Sequence, residues 1–115
     1  MISSVANNNE AHTALVRAAL QELAVNGYTA WQNSTGVWFD DDGRPHKYGK
    51  VGSADIYCIL PPHGRHCEFE AKTGTGKQSD NQKKHQKYVV ERNGGIYILF
   101  RSVQELISAI SKVRS

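Results

Sequence analysis

Two acids and a lysine stand at strand spacing in the middle of the chain: Asp55, Glu70 and Lys72. Residues 54–60 (Ala-Asp-Ile-Tyr-Cys-Ile-Leu) and 66–72 read as strands, and Pro61-Pro62-His63-Gly64 between them is turn chemistry, so a hairpin is predicted. If Leu60 and Arg65 close the four-residue loop, Asp55 falls opposite Glu70. Lys72 then shares the face of Glu70, because strand side chains alternate. Opposed Cβ atoms lie about 4.5–5.5 Å apart, and two like charges there are destabilising unless something lies between them. A divalent cation is the candidate, since two carboxylates with a backbone carbonyl and waters suit Mg²⁺ or Mn²⁺. Such an ion lowers the pKa of water, polarises a phosphoryl oxygen and offsets the charge of the transition state, which is the chemistry of phosphodiester hydrolysis. Lys72 would orient or activate the attacking water and add positive charge.

These residues need elements to hold them. Leu15, Val16, Ala19, Leu20 and Leu23 recur at helical spacing through residues 10–26, with Asn7, Asn8 and Asn9 available for the cap and Gly27 past the end. Residues 28–31 and 36–39 read as short strands, Asp40-Asp41-Asp42-Gly43 as a turn, and residues 40–52 as an irregular loop. After the hairpin comes a glycine-rich loop, 73–78. Ser79-Asp80-Asn81-Gln82 has the S-x-x-Q form of a capping box and predicts a helix to about Arg92, ended by Asn93-Gly94-Gly95. Ile96–Phe100 reads as a short buried strand, and Ser102-Val103-Gln104-Glu105 opens an amphipathic helix carrying Leu106, Ile107, Ile110 and Val113. On the hairpin's other face the same register sets Cys58 against Cys67 among apolar neighbours, as in a buried wall. The order helix, strands, helix, strand, helix predicts a single mixed α/β domain over residues 1–115.

Composition narrows the class. At 115 residues, 39% apolar and 22% charged, the chain supports one core and not two. It has no run of roughly 18 apolar residues, as a membrane helix needs, and residues 1–10 are polar, unlike a signal peptide. Two cysteines without a CxxC pair give neither a disulfide framework nor a structural zinc. These features predict a soluble protein of the reducing cytoplasm. The net charge of +3 permits nucleic acid without demanding it. Lys72, Lys77, Lys83, Lys84 and Lys87, however, all fall between residues 72 and 87, and counterion release rewards cations gathered on one surface. Lys83 and Lys87 stand one helical turn apart beside the presumed ligands. With Lys77 and Lys84 they predict phosphate contacts that position DNA without reading its sequence.

Gly52-Ser53-Ala54-Asp55, the apolar strand through Leu60, a glycine-containing turn and Glu68-Phe69-Glu70-Ala71-Lys72-Thr73 resemble the PD-(D/E)XK nuclease signature, with Ala54 in place of its proline. Asn33-Ser34-Thr35-Gly36, the Glu-x-Lys-Thr stretch, residues 79–82 and residues 93–103 are similar to the virus-type replication-repair nuclease (VRR-NUC) branch of that superfamily. The resemblance implies a restriction-endonuclease-like α/β core, a central mixed sheet flanked by helices. It implies Asp55 and Glu70 as metal ligands, the carbonyl of Ala71 as a further ligand, Lys72 as the catalytic lysine, and Gln82 as the polar residue on the following helix. Gln82 also has a capping role available to it. Glu10 matches the acidic residue the family places on its first helix, although it projects away from the Leu15, Ala19 and Leu23 stripe, as a solvated first-turn acid would. Gln32, Asn33 and Thr35 would lie near the site. Small stand-alone members imply a Mg²⁺- or Mn²⁺-dependent endodeoxyribonuclease. It would act as a homodimer on branched DNA such as four-way (Holliday) junctions, leaving 5′-phosphate and 3′-hydroxyl ends, in the host-cell cytoplasm if virus-encoded.

The remaining motifs read more plainly. Glu68 shares the face of Glu70 but reads as an exposed strand acid, since only Glu70 has a lysine two positions on and an aspartate opposite. His63, His66, Cys58 and Cys67 match no zinc spacing. Gly74-Thr75-Gly76-Lys77 is similar to a phosphate-binding loop, yet Ala71 and Gln78 stand where G-x-x-x-x-G-K-[ST] needs Gly and Ser or Thr, so no nucleotide cofactor is expected. Trp31, Trp38 and Tyr28 read as core or dimer-interface aromatics. Two rival functions fit the same residues: a non-catalytic DNA-binding subunit that keeps a nuclease fold, and a sequence-specific restriction or homing endonuclease. No separate recognition module is evident for the latter.

Overall fold

The structure, a computed structural model, describes residues 4–114, with side chains from residue 9 onward. The first helix, α1 (Ser4–Val25), is longer than its apolar stripe predicts. Asn7, Asn8 and Asn9 lie inside it rather than capping it, because asparagine tolerates a helix interior at a cost of well under about 1 kcal/mol. Its end is as expected. Gly27 takes a positive φ of 81°, and the N–H groups of Tyr28 and Gly27 donate to the carbonyls of Leu23 (2.9 Å) and Ala24 (3.0 Å), the paired closure that glycine permits at a helix terminus.

Strand β1 (Thr29–Gln32) follows, then β2 (Gly36–Phe39) and β3 (Pro45–Tyr48), which pair with each other as a separate antiparallel hairpin. The expectation of an irregular loop over 40–52 is corrected here for residues 45–48. All four β3 residues are exposed, so they carry none of the alternation that marks a strand facing a core. Local chemistry holds the turn instead. The carboxylate of Asp40 accepts from the N–H groups of Asp42 and Arg44 (both 2.9 Å) and from His46 Nε2 (2.9 Å), and Trp38 stacks on His46 at 4.4 Å. The His46 imidazole, and after it the Arg44 N–H, keep the Asp40 carboxyl below its ordinary pKa.

β4 (Ile56–Leu60) and β5 (Arg65–Ala71) form the predicted hairpin in the predicted register, Leu60 opposite Arg65 and Cys58 opposite Cys67. A mixed four-stranded sheet results, in the order β1, β4, β5, β6, where β6 (Ile96–Phe100) runs parallel to β5 and the other pairs are antiparallel. The parallel step needs a crossover. It is made by α2 (Asp80–His85), which continues through a widened π turn (Gln86–Val90) and a 3₁₀ turn (Glu91–Asn93). A final helix, α3 (Val103–Arg114), starts where the Ser102 hydroxyl accepts the Glu105 N–H at 3.1 Å.

The two faces of the sheet differ sharply. One face buries Ile56, Cys58, Leu60, Cys67, Phe69, Ala71, Ile96, Ile98 and Phe100 against Val16, Ala19 and Leu23 of α1 and Leu106 and Ile110 of α3. Burial there pushes the thiols of Cys58 and Cys67 up to about 11 and about 12, so both are inert wall residues. The other face carries the acids and lies under α2, with a small apolar patch of Ala54, Val90 and Tyr97 beside them. Among the described residues no helix is long and apolar enough to cross a membrane. The described residues thus form an α/β domain of three helices and a mixed sheet, with a separate two-stranded hairpin.

Candidate active site

The β4–β5 ladder stops at Ile56 and Phe69, and side chains take over its hydrogen bonds. The Asp55 N–H donates to Glu70 Oε1 (3.1 Å), and one residue earlier the Ala54 N–H donates to Glu68 Oε1 (3.1 Å). Asn33 fixes the same segment from β1's end. Its Nδ2 donates to Ser53 Oγ (2.8 Å) and to the Ala54 carbonyl (2.9 Å), while its N–H meets the Asp55 carbonyl at 2.8 Å. Gly52 completes the approach. With φ at 84°, it packs so closely on α2 that a Cβ would strike the backbone of Asn81.

Asp55, Glu70 and Lys72 therefore meet. Glu70 is only 3% exposed, and its Oε2 accepts from Gln82 Nε2 (2.7 Å) and lies 3.3 Å from Lys72 Nζ. Asp55 stays partly open to solvent, and its Oδ2 accepts the Ala71 N–H (2.9 Å) and His12 Nε2 (3.1 Å). Burial first, and then the charge and contact of the Asp55 carboxylate, raise Glu70 from 4.5 to about 7 against the pull of Lys72. Two acids are thus held together where water screens them poorly, with all-oxygen donors on offer. That donor set fits a hard divalent cation, which takes one or two carboxylates and keeps several waters. The residues that would hold it are Asp55 and Glu70, beside the backbone of Ala71.

Gln82 performs both roles open to it. Its Nε2 reaches Glu70, while its Oε1 accepts the Ser79 N–H (2.9 Å) and its own N–H donates to Ser79 Oγ (3.1 Å), the complete capping box. Glu10 is not part of the group. It is exposed beside Asn9, Thr13, Ala14 and Arg17, and among the described residues no three His, Cys, Asp or Glu side chains converge as a metal cluster. Because α1 starts at Ser4, Glu10 is also not the first-turn acid its position suggested. A residue of α1 that reaches Asp55 is His12, one turn ahead of buried Val16 and so on the helix's inward stripe.

Glu68 is the second correction, being 1% exposed rather than a surface acid. Besides the Ala54 N–H it accepts from His85 Nε2 on Oε1 and from His66 Nε2 on Oε2, both at 2.8 Å. His85 comes from α2, three residues after Gln82, and is itself buried, with Nδ1 unpartnered among the described residues. A one-turn pair of polar residues on the inner side of α2 was the signal available for it. Lys77, Lys83, Lys84 and Lys87 are all exposed, the last with Nζ over the Tyr88 ring at 5.2 Å. Lys50, not singled out by sequence, shares a shallow depression with Lys84 and Tyr88. Below the acids, His12, Lys72, Thr73, Gly74, Thr75 and Gly76 line an open groove of about 550 Å³, and Arg101 braces its loop by donating to the carbonyls of Gly74 (3.3 Å) and Gly76 (2.8 Å).

Scanned against protein-family models, the chain matches none, and no curated protein matches it either.

Proposed function

We propose that the protein is a metal-dependent DNA endonuclease with a PD-(D/E)XK core of the VRR-NUC type. The observation that carries this reading is the Asp55–Glu70 pair. A buried carboxyl raised to about 7 by burial and by its neighbour, with an ammonium 3.3 Å away, is an arrangement that costs stability unless a cation or a reaction uses it. Mg²⁺ or Mn²⁺, bound by Asp55, Glu70 and the carbonyl of Ala71, would supply Lewis acidity and lower the pKa of water. The chain's own residues do the rest. Lys72 holds positive charge in the wall of the groove, where it orients a water and meets the charge that develops on a phosphate. Gln82 fixes the Glu70 carboxylate and ties it to the start of α2, whose outward Lys83 and Lys84, with Lys87 of the π turn that follows and Lys77, bind the DNA backbone.

A homodimer acting on branched DNA, four-way junctions above all, completes the proposal, with action in the cytoplasm. One chain offers one site, and cutting two strands takes two. The β2–β3 hairpin leaves Val37, Trp38, Phe39 and Tyr48 exposed, and a lone two-stranded hairpin is marginal in water without a covering surface. Sedimentation should give a dimer, and Trp38→Ser with Phe39→Ser a monomer.

The deciding experiment is cleavage of duplex, flap, splayed-arm and four-way-junction DNA, each with Mg²⁺, Mn²⁺ or EDTA. Metal-dependent cutting with preference for the junction supports the proposal. Salt-sensitive binding without any cutting identifies a DNA-binding subunit, and discrete bands from a plasmid identify a sequence-specific nuclease.

A further inference from the structure

We infer that His12 is a positioning residue of this site: its imidazole, together with the Ala71 N–H, holds one oxygen of Asp55 so that the other faces the cation. The inference rests on the proposed metal site and goes beyond it, because His12 lies on α1, outside every motif that suggested the site. Two donors from two different elements converge on Asp55 Oδ2, Ala71 N–H from β5 at 2.9 Å and His12 Nε2 from α1 at 3.1 Å. Both of these contacts are made by the same oxygen, and the Glu70 carboxyl lies against the Asp55 carboxylate as well. A carboxylate gripped at one oxygen by two donors cannot turn about its last torsion without losing both, so its other oxygen is aimed.

Both donors stand on firm ground. Ala71 is wholly buried in the main core, and His12 sits one turn ahead of Val16 on the stripe that continues through Ala19 and Leu23, all in that core. The opposite arrangement, His12 as a ligand in its own right, would require it to leave Asp55, and no three-residue cluster of His and acids forms among the described residues. His12 also lines the groove that contains Lys72, about a third exposed at its wall, so its side chain can be altered without opening the core.

The experiment compares the full-length chain with His12→Ala and His12→Gln. Mn²⁺ binding is read by calorimetry near neutral pH, and junction cleavage by steady-state kinetics at saturating metal. Loss of a group that orients a metal ligand typically weakens metal binding about 10–100-fold. His12→Ala should show that weakening and a fall in kcat at unchanged KM for DNA. His12→Gln, whose amide can still donate, should recover part of both. Wild-type Mn²⁺ affinity in His12→Ala, with the parent binding Mn²⁺ and cutting DNA, overturns this inference and leaves the nuclease proposal standing. A parent chain that neither binds Mn²⁺ nor cuts overturns both. If Gln fails to recover anything while both variants melt as the parent does, hydrogen bonding is not what His12 supplies and the inference is again overturned.

Discussion

Glu68 and Glu70 stand two residues apart on one strand, point to the same face and are buried to the same degree, yet their surroundings put them in opposite conditions. Both oxygens of Glu68 are met by donors from α2, β5 and the residue before Asp55, with no other acid in contact. Glu70 also has donors on both oxygens, but the Asp55 carboxylate lies alongside and burial leaves little water to separate them, so its proton is held to about 7. Burying a carboxylate costs several kcal/mol unless it is paired and hydrogen-bonded. Glu68 meets that condition and serves as a structural pin, whereas Glu70 meets it only in part and holds its proton to about 7, as the proposed metal site requires of a ligand a cation would ionise. Equal burial thus separates into structure and chemistry according to whether a second negative charge is present.

The largest effect that could break this distinction is on turnover. Glu70→Ala should lower kcat by about 10³-fold or more, and Lys72→Ala by about 10²–10³-fold, the range for removal of one preorganised charge, with DNA affinity nearly intact. Full activity of either variant would refute the site. Stability should run the other way. Glu68→Ala strands buried His85 and the Ala54 N–H, and breaking such a pair costs about 3 kcal/mol or more, while Glu70→Ala removes a charge already opposed by its neighbour and should cost clearly less. Urea unfolding of the two variants measures this, and equal losses would erase the difference between the two acids.

That distinction was only half written in the sequence. The Pro61-Pro62-His63-Gly64 loop sets the hairpin register by local geometry, which is why the meeting of Asp55 with Glu70 and of Cys58 with Cys67 could be read from spacing alone. The capping box at Ser79 and the apolar stripe of α3 are local in the same way. Glu68 read as exposed because its partner His85 lies 17 positions away on a helix whose docking no strand pattern reports. His12 was hidden because α1 begins earlier than its apolar stripe, which left Glu10 as the conspicuous polar residue. β3 escaped because its residues bury nothing, and periodicity records burial, not pairing.

A smaller effect sharpens the account of Glu70. Its folded pKa lies above the unfolded value, so between about 4.5 and about 7 the folded chain holds a proton that the unfolded chain has released. The contribution of Glu70 to stability is therefore complete below the ordinary carboxylate pKa and is lost as pH rises to about 7. In chelator, the thermal midpoint of the parent should fall over that window relative to Glu70→Gln, which cannot titrate. Mn²⁺ should reverse the fall, because it binds the ionised form, and at about 100 times Kd it would add about 2.7 kcal/mol above the window and much less below it. A Mn²⁺ stabilisation that is the same at both ends would show that Glu70 is not a ligand.

The smallest effect concerns α2 and the π turn that continues it, which present Gln82 and His85 inward and Lys83, Lys84 and Lys87 to solvent. A cation on a phosphate contributes through counterion release, so removing one such cation reduces the slope of log affinity against log salt by about 1 without changing the order of preference among sequences. Lys83→Ala and Lys87→Ala should each do this in a fluorescence-anisotropy titration on junction DNA, and the double variant should show the sum. Chain stability should barely move, since exposed lysines far from a buried partner contribute little. His85→Ala, one step around the same helix, should do the reverse and destabilise the fold while the salt slope holds. Were Lys83→Ala to leave the slope unchanged, the outward side of α2 would be an ordinary solvated face, and the proposed DNA substrate would have to be held at the groove lined by His12 and Lys72 instead.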